Sequence, residues 1–336
     1  MIKQVIAKLV QRLNLSEGEI EEVMNEIMDG GATPAQIASF ITALKMKGET
    51  VDEITGCAKV MRQHATRIKA PGIKVVDTCG TGGDKLHTFN ISTLSALVAA
   101  GAGLTIAKHG NVSVSSKCGS ADLLKALGVN IDISSDKVEQ CLAKTGIAFL
   151  FAPLLHKAMK YAMPARKEMG IETVFNILGP LTNPAGATHQ LLGVYKKSLT
   201  EPLARVLGNL KSVHSLVVHG LDGLDEVTTT APTQVSELIN GAVKTYQIKP
   251  EDFGISKASL SELTGGEVGL NVKIAKDVLS GKKGPKRDIV LLNAACALYA
   301  GDIAKDINKG LELAGQSIDS GKALEKLEIL KKYTNS

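Results

Sequence analysis

From residue 73 onward, short and mostly apolar runs alternate with helical stretches, and this alternation constrains the fold more than any other feature. The runs lie at 73–76, 104–107, 147–151, 190–194 and 215–218, separated by helical patterns at 91–100, 121–127, 136–144 and 199–210. A strand this short and apolar is buried on both faces, and an intervening helix returns the chain for parallel pairing. The expectation is an α/β domain with a mostly parallel central sheet. Asn240-Gly241 separates runs at 234–238 and 243–248, so an antiparallel hairpin is expected late in the sheet. The chain then returns to helix at 293–299 and 304–327.

Residues 1–70 read as a small helical domain, and 71–336 as the larger α/β domain. Three helix starts are written as a capping hydroxyl followed three positions later by Glu or Gln: Ser16 with Glu19, Thr33 with Gln36 and Thr50 with Glu53. Pro71-Gly72 marks the boundary. Residues 153–182, rich in proline, are expected to leave the sheet, pack near the N-terminal helices and return, making a hinge with the site in the cleft.

Composition narrows the function. Charged residues are 22% of the 336, the net charge is +5, aromatics are 3% and Trp is absent. Scattered cations with no stacking platform disfavour nucleic acid, while a mild positive excess suits a small anionic substrate. The five cysteines are dispersed without any C-x-x-C, which predicts no disulfide framework and a reducing compartment. There is no apolar signal-like start and no apolar run of membrane length, so a cytoplasmic protein without membrane attachment is expected.

Asp77-Thr78-Cys79-Gly80-Thr81-Gly82-Gly83-Asp84 follows the first apolar run and precedes a helix opening at Asn90-Ile91-Ser92-Thr93. Glycines let backbone amides approach an anion, and a helix N-terminus adds a favourable dipole. Neither the dinucleotide fingerprint nor the P-loop spacing is present, Lys85 standing where the last fingerprint glycine belongs. A second polar stretch, Lys108 to Ser120, leaves the next run with two lysines, a histidine and four serines, and Ser120 reads as a helix cap. Such donors suit a diphosphate. Asp222, Asp225 and Glu226 follow a later strand, and by themselves fit a solvated turn as well as a divalent-cation site. His156 and Arg166, in the 153–182 segment, would be ordinary structural or surface residues on local grounds.

Taken together, the Asp77–Asp84 motif, K-H-G-N-x-S-V-S-S-K-x-G-S-A-D from 108, F-N-I-L-G-P-L-T-N-P-A from 175 and G-L-D-E from 223 resemble the anthranilate phosphoribosyltransferases in order and spacing. The resemblance spans nearly the whole chain. It implies a fold similar to that of the pyrimidine nucleoside phosphorylases, and a usually homodimeric, Mg²⁺-dependent enzyme of tryptophan biosynthesis. The implied reaction moves the phosphoribosyl group of phosphoribosyl pyrophosphate (PRPP) to the amine of anthranilate. A nucleoside phosphorylase is the nearest competitor, disfavoured by Asp225-Glu226 and the 175–185 segment.

Carried over by motif, the resemblance implies donor contacts at Gly80, Gly83, Asp84, Thr88, Asn90, Ile91, Ser92, Thr93, Lys108, His109, Gly110, Asn111, Val112, Ser113, Val114, Ser115, Ser116 and Ser120. Ser92, Asp225 and Glu226 would hold Mg²⁺. Gly80, Asn111, His156, Tyr161, Arg166, Gly179 and Pro180 would face anthranilate, and Lys108, His109 and Arg166 are the implied catalytic groups. Two positions depart from the family. Val112 stands where Arg is frequent, removing one donor, and Lys157 follows His156 where Pro is usual.

Overall fold

Each of the three capping hydroxyls starts a helix. A computed structural model describes residues 1–112 and 117–336. Helix α1 spans Ile2–Val10, and α2 (Glu17–Met28), α3 (Pro34–Lys47) and α4 (Val51–His64) open with complete capping boxes at Ser16, Thr33 and Thr50. Glu53 does more than cap. Its carboxylate, fully buried, accepts from the Leu15 and Thr50 amides at 2.9 and 2.8 Å and pairs with Lys47 at 2.8 Å. A buried carboxylate persists only when paired and hydrogen-bonded in this way.

The remaining elements alternate as the pattern requires: β1 (Val76–Gly80), α5 (Ile91–Gly101), β2 (Ile106–Gly110), α6 (Ser120–Ala126), α7 (Ser135–Thr145) and β3 (Ile147–Phe151). Short helices α8 (Ala152–Leu155), α9 (Met163–Met169) and α10 (Val174–Leu178) precede β4 (His189–Gly193), α11 (Thr200–Asn209) and β5 (His214–Gly220). The hairpin β6 (Thr233–Ile239) and β7 (Ala242–Ile248) turns on Asn240 and Gly241, both at positive φ (49° and 85°). Helices α12 (Val268–Leu279), α13 (Pro285–Ala300), α14 (Ile307–Asp319) and α15 (Lys322–Thr334) complete the chain. The sheet order is β3-β2-β1-β4-β5-β6-β7, with parallel pairing from β3 through β5 and antiparallel pairing beyond.

Side-chain alternation along the strands divides the interior in two. Leu191, Leu216 and Val218 join the cluster containing α5 and α13, whereas Leu192, Val217 and Leu238 join the cluster that contains the N-terminal helices. Ala162, Ala165, Phe175 and Leu178 belong to that second cluster. Arg62 of α4 donates to the Leu181 and Leu210 carbonyls at 2.8 and 3.3 Å, tying the helical bundle to the segment before β4 and to the end of α11.

Three local expectations need correction. Strands β1 and β2 run three to four residues further than the apolar runs at 73–76 and 104–107, because Asp77, Thr78, Lys108 and His109 are buried within them and paired internally. The stretch 304–327 is two helices, broken at Gly321, whose φ is 79°. Helix α12 has no counterpart in the sequence reading.

At the start of β5, His214 lies between two carboxylates. Its Nε2 is 3.0 Å from Glu237 and its Nδ1 3.0 Å from Asp302, while Lys74 and His189 also reach Asp302. Tyr299 and Tyr246 donate to Glu237. Burial disfavours the His214 cation, but Glu237 and Asp302 outweigh it and leave the pKa raised. Burial instead prevails at His189, which is lowered. A raised histidine stabilises fully below its unfolded pKa, and that contribution disappears as pH climbs through the folded value. His214→Phe is therefore expected to lower the melting temperature more at pH 6 than at pH 9. A gap of equal size at both pH values would show that the charge on His214 does not stabilise the fold.

Candidate functional site

The parallel strands present their C-terminal ends along one edge, where open α/β sheets gather ligands. Four of those five strands, β1, β2, β4 and β5, end in glycine: Gly80, Gly110, Gly193 and Gly220. Gly80 and Gly193 face each other across the β1–β4 pair. A methyl group on Gly80 would sit 2.6 Å from the Asp225 carboxylate, and one on Gly193 would overlap the Asp225 carbonyl oxygen. The paired glycines thus form a notch through which the loop after β5 crosses. Gly80 is needed here for Asp225, a reason the sequence alone does not reveal.

The crossing places two carboxylates beside the first loop, which contributes a third, Asp84. Asp225 accepts the Gly82 amide at 2.8 Å, and Glu226 accepts the Ser92 amide at 3.1 Å in the first turn of α5. Burial and then Asp84 push Asp225 up to about 7, while burial and then Asp225 push Glu226 well up. Lys108, almost wholly buried, donates to the Thr78 carbonyl and to Ser92 Oγ, the latter at 3.2 Å. Burial lowers its pKa against the pull of Asp77 and Glu226.

Crowded carboxylates that raise one another's pKa fit a divalent cation, which neutralises the repulsion. Among the described residues, no three His, Cys, Asp or Glu side chains form a complete ligand set. The donor chemistry suits Mg²⁺, which takes one or two carboxylates and fills its octahedron with water and phosphate oxygens.

Several sequence-derived assignments change. Asp77, Thr78, Cys79 and Gly80 belong to β1, so the loop proper starts at Thr81. The Ser92 amide of α5 is taken by Glu226, and the Ile91 amide by the Phe89 carbonyl at 2.7 Å. The Ile91 and Thr93 side chains lie in the core at 1% exposure each, so neither side chain is open to a ligand. Gly119 rather than Ser120 caps α6, its amide held by Asp122 at 2.8 Å, while Ser120 Oγ donates to the Asn111 carbonyl at 3.2 Å. Lys117 pairs with Glu267 at 3.2 Å. Thr88 bridges to Thr264. Gly83 takes the left-handed conformation (φ 83°), Gly110 closes β2, and Asn111 and Val112 are exposed. Ser113, Val114, Ser115 and Ser116 lie outside the described residues.

Near the end of β2, His109 donates from Nδ1 to the Gly179 carbonyl at 3.1 Å, and its ring lies 5.0 Å from that of His156. Because a carbonyl only accepts, Nε2 of His109 carries the lone pair. Among the described residues, both Nε2 atoms are buried without a hydrogen-bond partner. Burial, then the neighbouring His156, pushes His109 down to about 3, and burial pushes His156 down to about 4. Pro180 is suspended by its carbonyl from Gln190 at 2.7 Å. Arg166 of α9 stacks over Phe175, 5.2 Å from the ring centroid, and its guanidinium reaches Met163 Sδ at 3.7 Å. Tyr161 packs its ring against Gly30 at the end of α2, where a methyl group would meet it at 2.7 Å.

Sequence reasoning missed the residues that hold these groups in place. Asn293 of α13 grips the Val227 peptide at both ends, accepting its amide at 3.0 Å and donating to its carbonyl at 2.8 Å, directly after Glu226. Asn183 joins Asp77 to the Ala107 carbonyl, both at 2.8 Å. The available signal was an Asn inside an apolar helix, Leu291-Leu292-Asn293-Ala294-Ala295.

This geometry has close counterparts. Residues 72–324 match the glycosyl transferase family α/β domain, and residues 3–65 match that family's helical bundle domain. The anthranilate phosphoribosyltransferase of Acetivibrio thermocellus is 56% identical, covering 100% of this chain and 97% of that protein. The chain belongs to the anthranilate phosphoribosyltransferases. The crystal structure of the Thermus thermophilus member superposes with a TM-score of 0.94 at 38% identity, covering 99% of each chain. A Saccharomyces cerevisiae member solved with PRPP and Mg superposes at 0.90 with 31% identity, covering 99% of this chain and 98% of that one. Family membership therefore extends through both the helical bundle and the sheet domain.

The notch yields a direct test. Gly193→Ala is expected to displace the Asp225 loop and to lower activity by at least about 100-fold, since even 1 Å misplacements in a site cost that much. Near-normal kcat/KM in a folded G193A protein would mean that the crossing does not position the site.

Proposed function

We propose that this chain transfers the phosphoribosyl group of PRPP to the amine of anthranilate, releasing pyrophosphate and forming N-(5-phosphoribosyl)anthranilate for tryptophan biosynthesis. The observation that carries the reading is the contact of the first loop and the start of α5 with Asp225-Glu226, on the same edge as a buried histidine pair.

In the reaction, the bond from ribose C1 to the pyrophosphate oxygen breaks and the leaving group takes the electron pair. The anthranilate nitrogen forms the new bond and then sheds a proton. Lys108 and the amides of the first loop stabilise charge gathering on pyrophosphate, an effect that is greatest when donors are preorganised away from water. Ser92, Asp225 and Glu226 would hold Mg²⁺, which when bound neutralises part of the diphosphate charge. Donor contacts from Asp84, Thr88, Asn90, Asn111 and the 113–116 stretch complete the proposed pocket.

Arg166 is assigned to the anthranilate carboxylate. Stacking on Phe175 orients its guanidinium, a planar fork that suits bidentate pairing with a carboxylate. His109, His156, Gly179 and Pro180 form the wall around the aromatic ring, with Tyr161 nearer the approach. The unpartnered Nε2 of His109 would supply a hydrogen-bond acceptor for the amine. The same reading carries a helical domain of residues 1–70 moving against 71–336, a homodimer and a cytoplasmic setting. Five free, buried cysteines are consistent with a reducing compartment, and no helix among the described residues is long and apolar enough to cross a membrane.

Loss of anthranilate fluorescence on mixing protein, PRPP, Mg²⁺ and anthranilate tests the activity directly. Absence of that loss, with phosphorolysis of uridine or thymidine in its place, would transfer the protein to the nucleoside phosphorylase reading. Arg166→Ala is expected to raise KM for anthranilate roughly 10- to 100-fold, the equivalent of one lost charged hydrogen bond, with KM for PRPP little changed. Asp225→Asn should shift the Mg²⁺ concentration needed for half-maximal activity upward. With His109 near 3 and His156 near 4, both are neutral above pH 5, so kcat/KM should show no inflection from either between pH 6 and 8. An inflection in that window that disappears in His109→Gln would overturn the neutral assignment.

A further inference from the structure

A hydrogen-bonded chain of defined polarity runs from helix α12 to both strand-end loops. The Gly266 amide donates to Asn271 Oδ1 at 2.9 Å, Asn271 Nδ2 donates to Asn90 Oδ1 at 3.2 Å, and Asn90 Nδ2 donates to the Cys118 carbonyl at 2.9 Å. The direction is set from the ends. A backbone N–H can only donate and a backbone carbonyl can only accept, so both intervening amides have one permitted orientation. Asn271 is 3% exposed, and its amide has no water to turn to if either bond is lost.

The segment before Asn271 is pressed onto the first loop. Thr264 bridges to Thr88, and the Gly265 amide donates to the His87 carbonyl at 2.9 Å. A methyl group on Gly265 would meet the Phe89 backbone nitrogen at 2.7 Å. Lys286 draws the segment inward by donating to the Glu262 and Thr264 carbonyls. Asn90 precedes α5, and Cys118 lies near the end of the second polar stretch. The chain therefore couples the two loops to each other through an element outside both.

We propose that Asn271 is a positioning residue for the PRPP pocket, orienting the Asn90 amide and, through it, fixing the spacing between the first loop and the Cys118 end of the second. This rests on the assignment of both loops to PRPP. Asn271 itself touches no proposed substrate atom. Its effect is expected on the donor half of the reaction and not on the acceptor half.

Asn271→Asp tests the polarity with minimal change in volume. One carboxylate oxygen still accepts from Gly266, but the other confronts Asn90 Oδ1. Asn90 then either faces it without a hydrogen bond or turns over and presents its oxygen to the Cys118 carbonyl. The Kd for PRPP, measured by calorimetry with Mg²⁺, and KM for PRPP are expected to rise about tenfold, the usual consequence of one lost buried hydrogen bond, with KM for anthranilate unchanged. Asn271→Ala should raise the same constants without adding charge, which covers the case in which the Asp variant fails to fold. In an Asn90→Ala background, either substitution should add no further loss of PRPP affinity. Additive losses, or unchanged PRPP affinity in a folded Asn271 variant, would overturn the proposal. Wild-type protein that binds no PRPP would instead overturn the functional reading beneath it, and the two failures are distinguished by which protein shows them.

Discussion

At the notch between Gly80 and Gly193, a loop from one strand passes over the ends of two others with no room for a methyl group. The Asp225 carbonyl occupies the space of one missing side chain, and its carboxylate lies against the other. Everything electrostatic about the site depends on this passage. It carries Asp225 to the Gly82 amide, leads Glu226 to the amide of Ser92, and brings both toward Asp84. Behind the passage, Asn293 holds the next peptide at both its polar atoms. The carboxylates are thus fixed by backbone geometry, as preorganised charge requires.

Below the notch, buried polar groups do the work usually left to apolar packing. Asp77 accepts from the His109 amide and from Asn183, whose amide also reaches Ala107. Gln190 hangs from Cys79 and the Pro180 carbonyl. These bonds join β1, β2 and β4 to the turn at 179–183. Such networks are stable only when every member is satisfied. Among the described residues, the Nε2 atoms of His109 and His156 are buried without a hydrogen-bond partner.

How much was legible in the sequence follows from how local each cause is. Ser16, Thr33 and Thr50 cap their helices because the partner residue lies three positions away. Asn240-Gly241 turns the hairpin because two adjacent residues accept positive φ. Strand ends were misplaced for the opposite reason. Asp77 and Lys108 look like loop residues until Asn183 and Ser92 arrive from elsewhere to satisfy them. Helix α12 escaped because its most informative buried polar residue, Asn271, answers Asn90 across 181 positions.

The sequence by itself determined the alternation of strands and helices and the inventory of groups able to handle a diphosphate, which follow from residue type and short-range spacing. The family, and with it the groups for a cation and an aromatic acid, followed from the order of four motifs along the chain. Tertiary structure alone decided what surrounds each group. It turned Gly80 from a generic permissive residue into half of a crossing point, and made Gly193, absent from any motif, the other half. It gave the first-turn amide of α5 to Glu226, and made two histidines neutral by burying them together. Desolvation and close approach are properties of what surrounds a residue, and those surroundings are assembled from distant parts of the chain.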